Sequence, residues 1–127
     1  MKQLELTANG ITVKIAIRNA TNGDYMRKSL LAAQAMKDPL EDAADQTVAM
    51  VIYPRCLACV VEGSIIRKNA DGLDEPAQSV RDLTPKEFVD LPGEIGEAWL
   101  TAALEENPGW SLTPPDPAQL ASAEKKG

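Results

Sequence analysis

Asn9-Gly10 restricts the fold of this chain more than any other feature. Both residues accept positive φ, so the pair favours the two-residue type I′ turn that joins antiparallel strands. Folding the chain about it sets Ala8 opposite Ile11, Leu6 opposite Val13 and Leu4 opposite Ile15, which collects six apolar side chains on one face. The other face pairs Thr7 with Thr12 and Glu5 with Lys14, a cross-strand pair of opposite charge. Turn chemistry and alternation agree, and a hairpin over about Gln3–Ile17 is expected. A lone hairpin is marginal in water, so its apolar face must pack on helices or on further strands.

Helical signals follow. Thr21 with Asp24 three residues on reads as an N-terminal cap, opening a helix over about Asn22–Lys37 with Met26, Leu30 and Ala33 facing inward. Asp38-Pro39 ends it. A second helical pattern starts near Glu41 and runs through Val48, Ile52, Cys56, Cys59 and Val60. Pro54 interrupts that pattern, and an interior proline costs roughly 3 kcal/mol, so a kink or two short helices meeting at Tyr53-Pro54 is expected. Arg67–Asp82 is polar and carries Asp71-Gly72; a mobile loop is favoured there over a loose hairpin between Ser64–Lys68 and Ala77–Arg81. Thr84-Pro85-Lys86-Glu87 has the residues of a capping box and starts a short helix that ends at Leu91-Pro92.

The closing segment, Pro92–Trp110, predicts a helix with more apolar surface than one docking face needs. Ile95, Ala98, Trp99, Ala102 and Ala103 form one stripe, and Leu100 with Leu104 widens the arc. Asn107-Pro108-Gly109 stops the helix. Leu100 and Leu104 are therefore the leading candidates for a partner-binding surface. Trp110 and Trp99 join them as candidate interface anchors, since large aromatics dominate binding hot spots; the competing reading places Trp99 in the core and folds Trp110 back over the helix end.

The whole reads as an α+β protein: an N-terminal β-hairpin packed against a bundle of about four helices. A single domain is expected over 1–112, with a flexible tail over 113–127 rich in proline, small and charged residues. Thirteen basic against nineteen acidic side chains give a net charge of −6, which disfavours nucleic-acid binding. The most apolar run, Val48–Val61, is too short to span a membrane and contains Pro54 and Arg55. The N-terminus lacks a signal-peptide layout, so a reducing intracellular compartment is expected and the two cysteines are expected as thiols.

Few chemistries survive. Cys56-Leu57-Ala58-Cys59 has the spacing of a redox pair, but redox chemistry needs the first thiolate exposed at a helix N-terminus. Both cysteines instead continue an apolar stripe, which favours core packing. Two cysteines without a histidine cannot complete a four-ligand zinc site within one chain, although a dimer could share one, so no metal and no cofactor is expected. With no histidine the commonest general base is missing. Glu94/Glu97 and Glu105/Glu106 read as a solvated helix face, and Gly93 with Gly96 lacks the strand-turn-helix context of a phosphate loop. No catalytic residue is assigned.

In its order of elements the chain resembles the tail assembly chaperones of tailed bacteriophages. The resemblance covers about residues 3–110. It runs from the amphipathic hairpin through the capped helix (Thr21, Asp24), the Tyr53-Pro54 junction and a polar excursion to Leu91-Pro92, Trp99 and Asn107-Pro108-Gly109-Trp110. It implies a non-enzymatic protein that binds the tape measure protein, keeps it soluble and helps recruit tail tube protein subunits. Such a protein acts in the cytoplasm of the infected bacterial host and is absent from the mature virion; self-association is compatible with the role. Lys125-Lys126 would fit an A-rich slippery stretch encoding a frameshifted, extended product. Two other classes stay open: a small thiol oxidoreductase using Cys56 and Cys59, and a structural head–tail or baseplate component of the virion.

Overall fold

The computed structural model describes residues 1–111; residue 112 and the expected tail over 113–127 lie outside the described residues. Strands β1 (Lys2–Ala8) and β2 (Ile11–Ile17) form the hairpin in the expected register, Leu4 on Ile15, Leu6 on Val13, Ala8 on Ile11 and Glu5 on Lys14. Asn9 and Gly10 both adopt positive φ, 50° and 77°, as a type I′ turn demands. The Thr7 and Thr12 hydroxyls lie 3.0 Å apart across the solvent face.

The hairpin is half of a four-stranded antiparallel sheet of order β1-β2-β3-β4, completed by β3 (Val60–Arg67) and β4 (Gln78–Ser79). This corrects two expectations. The helical pattern does not continue through Cys59 and Val60; helix α3 (Tyr53–Ala58) ends at Ala58 and Val60 opens β3. Residues 67–82 form the loose hairpin rather than a loop. Lys68 bridges Asp74, and the Asn69 side chain accepts from the amides of Asp71 and Leu73 across the turn in which Gly72 takes φ +77°. A bulge between β2 and β3 pairs Ile17 with Val60 but Ala16 with Glu62, leaving Val61 as the extra residue.

Helices cover one face of this sheet. Proline at position 54 is accommodated without a sharp break. Helix α2 (Ala43–Thr47) passes into a π turn over Val48–Ile52, and α3 follows with Pro54 in its first turn. The Tyr53 amide reaches back five residues to the Val48 carbonyl. This wider turn is one way to relieve the clash a proline ring makes with the carbonyl four residues before it. Helix α5 (Gly93–Glu106) lies on β1, β2 and α3, burying Ile95, Trp99, Ala102 and Ala103 as its stripe predicts. The Trp99 indole donates to the Cys56 carbonyl at 3.1 Å and packs edge-on against Phe88 of α4 (Pro85–Val89), whose Thr84/Glu87 capping box forms as expected.

Helix α1 (Asn22–Lys37) turns the opposite way from its expected orientation. Met26, Leu30 and Ala33 face solvent; Asp24 and Ala35 are buried, and the helix packs on the π turn and α3. The physical reason is Asp24, 1% exposed. It accepts two bonds from the Arg18 guanidinium (2.9 and 3.0 Å) and one from Arg27 (2.9 Å), and it completes the capping box with Thr21. Turning Met26 inward would carry this carboxylate away from Arg18, and Arg27 away from the Ala58 carbonyl to which it also donates. Asn107, also buried, locks the far end of α5 to the same corner: its amide group accepts from Ala20 N (2.7 Å) and donates to the Arg18 carbonyl (3.2 Å).

Two expectations follow. The Arg18 guanidinium, aided by Thr21 and Arg27, holds the Asp24 carboxyl at about 2, below the usual carboxylate range. The unfolded chain therefore binds this proton first, and the stabilisation, about 2 kcal/mol, is present above roughly pH 4 and lost as pH falls through 2. Asp24→Asn should lose about that much at pH 7, and urea titrations should find the gap to wild type narrowing between pH 5 and pH 2. Gly63 lies in β3 opposite Ile15, where a Cβ would come within 2.6 Å of Ile15 Cγ2 and 2.9 Å of the Lys14 carbonyl. Gly63→Ala should lower stability by about 1–3 kcal/mol in the same titrations.

Candidate partner-binding surface

The four residues expected to meet a partner are not equally placed to do so. Trp99 is wholly buried in the core and offers a partner nothing. Trp110 sits in a short 3-10 turn (Pro108–Trp110) that folds back over the end of α5, and it is 3% exposed. Its ring meets Tyr25 of α1 edge-on at 5.4 Å, Lys28 Nζ lies 5.1 Å from its centre, and Arg55 Nε donates to its carbonyl. Its indole N–H is buried and meets no hydrogen-bond acceptor among the described residues. Leu100 and Leu104 are half-buried and pack against the core cluster, so they are flanks of the interior rather than a free face.

The exposed apolar surface lies on α1. Among the described residues, Tyr25 (50%), Met26 (62%), Leu30 (55%) and Met36 (65%) are four of the six large hydrophobic side chains that stand out in solvent. At 100° per residue, Tyr25, Met36, Ala33, Met26 and Leu30 fall within an arc of about 140° on one side of the helix. Ser29 and Lys37 share that arc, so its apolar side chains are grouped on one side of the helix with polar residues among them. Sequence reasoning missed it because α1 is apolar on two sides, and the buried Asp24 with the half-exposed Arg27 makes the true inner side look polar.

Beside this ridge lies a recess of about 190 Å³ between α1, α3 and the 3-10 turn Val80–Asp82, lined by Arg27, Leu31, Tyr53, Leu57, Val60 and Arg81. Arg27 and Leu31, which line the recess, each lie about 100° further round α1 than Met26 and Leu30, so the recess opens on the neighbouring side of the helix. A larger, shallower groove of about 460 Å³ runs between the outer edge of β1 and α5, bordered by Glu94, Glu97 and Glu105; Lys2 pairs with Glu105 there at 2.7 Å.

The cysteines lie in the opposite environment from a redox site. Cys56 is within α3 and Cys59 caps its C-terminal end, both wholly buried, with Cys59 Sγ directed at the Arg55 carbonyl. Burial, and each other's proximity, push the Cys56 thiol well above its ordinary value; burial likewise raises Cys59 to about 11. Neither is a thiolate at neutral pH. Among the described residues no group of three or more His, Cys, Asp or Glu side chains is placed to hold a metal ion, and no helix is long and apolar enough to cross a membrane.

No family model, curated protein or solved structure matches the chain. The site is therefore defined by its own geometry: an apolar helix face with a basic-rimmed recess at its side.

Native thiol reactivity checks the burial of the cysteine pair. Ellman's reagent at pH 8 should label both sulfurs only on the timescale of unfolding, and at once in denaturant; fast native labelling of one would mean that it is exposed.

Proposed function

We propose that this chain is a non-enzymatic tail assembly chaperone of tailed bacteriophages, which binds the tape measure protein and helps recruit tail tube subunits. It acts in the cytoplasm of the infected host and is left out of the finished virion. The observation that carries the reading is the exposed α1 face. A long helical partner needs its apolar stripe covered, and a helix presenting residues at i, i+4 and i+7, here Met26, Leu30 and Ala33, is the complementary form. The net charge of −6 suits a chaperone whose complex must stay soluble. Many copies along one partner gain from effective concentration, so each contact can be modest.

The thiol oxidoreductase reading loses support from the buried, protonated sulfurs. A virion component could use the same α1 face, and the composition of purified particles separates that role from a chaperone's.

Co-expression with a phage tape measure protein tests the proposal. Met26→Glu with Leu30→Glu should abolish co-purification and leave circular dichroism and melting temperature close to wild type, because both side chains are more than half exposed. Undiminished capture by the double variant would refute it, as would finding this chain stoichiometrically in mature particles.

A further inference from the structure

We infer that the recess beside α1 is the anchor point for an acidic amphipathic helix of the partner: one apolar side chain enters it, and carboxylates flanking that side chain engage Arg27 and Arg81. The inference rests on the reading of α1 as the partner-binding face, and adds where the partner is gripped and what its flanks carry.

Size is the first argument. At about 190 Å³ the recess falls below the roughly 300–1,000 Å³ of small-molecule pockets, and its floor of Leu31, Leu57, Val60 and the Tyr53 ring suits a single hydrophobic side chain. Charge is the second. In a chain of net charge −6, two guanidiniums from separate elements line the same opening. Each is braced by backbone contacts. Arg27 Nη1 donates to Asp24 and to the Ala58 carbonyl, and Arg81 Nη2 donates to the carbonyls of Val60 and Val61 at the β-bulge. Among the described residues, Nε and the second Nη of each arginine have no acceptor, so donors remain for a carboxylate. Shape is the third. The Met26–Leu30 ridge runs alongside the opening, so a helix lying against the ridge can lower one residue into the recess while its neighbours three or four positions away meet the arginines.

Isothermal titration with two synthetic helices tests this. One has a leucine stripe flanked by glutamates, and the other is identical except for lysines at the flanks. The acidic peptide should bind and the basic one should not. Arg81→Gln should weaken the acidic peptide about tenfold, and Arg81→Lys should recover much of the loss. Melting curves of both variants confirm that the bulge they brace is intact. Equal binding of both peptides, no binding of the acidic peptide, or binding indifferent to Arg81→Gln would each overturn the inference. So would self-association of the free chain that Arg81→Gln abolishes, because the occupant would then be a second copy. The wider reading fails separately: if the tape measure protein is still captured by Arg81→Gln but not by Met26→Glu/Leu30→Glu, the chaperone role stands and only the anchor is wrong.

Discussion

Asp24 sits between two guanidiniums where β2 gives way to α1, and the placement of the helical layer follows from it. Removing a carboxylate from water costs several kcal/mol, and only good geometry with further hydrogen bonds repays that. Here Arg18 supplies two bonds, Arg27 a third and the Thr21 amide a fourth, so the charge is fully engaged at 1% exposure. Arg18 comes from the end of β2, Thr21 caps α1, and Arg27 reaches on to the Ala58 carbonyl at the end of α3. One carboxylate thus ties a strand, a helix start and a helix end together. Asn107 extends the same corner to the end of α5. The rotation of α1 about its own axis is set by this polar cluster more than by its apolar residues.

That inversion separates what was legible in the sequence from what was not. The hairpin register was readable to the residue because two independent signals, an Asn-Gly turn and a period of two, coincide there. The N-terminal cap at Thr21, the capping box at Thr84 and the stripe of α5 were readable for the same reason, local chemistry and tertiary packing asking for the same thing, whereas Trp110 fitted a fold-back and an interface anchor equally and packs as the former. Strand β3 was not. It follows a helix ending in Cys56-Leu57-Ala58-Cys59, and the spacing of Cys56, Cys59 and Val60 fits a helix as well as a buried strand does. The available signal was the β-branched content of Val60, Val61, Ile65 and Ile66, with Gly63 where Ile15 and Val80 come too close for a Cβ. The α1 face was hidden more deeply, because an amphipathic pattern counts the buried carboxylate of Asp24 as surface.

The missed face changes where a partner can bind. Leu100 and Leu104 give α5 more apolar surface than one docking side needs, and the fold uses the excess internally as the flanks of its core. The surplus left to solvent is on α1, whose inner side is small and partly ionic: Ala35, Asp24 and half-buried Leu31. A helix anchored by a salt-bridged corner can leave Met26, Leu30 and Met36 outside without losing its place, because its attachment does not draw on them. The helix is held by one set of residues and exposes another, so under the proposed function the exposed arc can be set by the partner without a cost to the attachment.

Charge is distributed to the same effect. Helix α5 carries Glu94, Glu97, Glu105 and Glu106 with no basic residue, whereas Arg27, Lys28, Arg55 and Arg81 gather near α1. Lys28 and Arg55 are close enough that burial and their mutual repulsion lower the lysine's affinity for its proton. Holding like charges together carries a cost, and a net charge of −6 elsewhere does not remove it locally. An acidic flank on a bound partner would. The basic side chains grouped on this side of α1 are the ones that the proposed acidic partner would meet. On that proposal, complementary charge would favour one orientation of approach over others.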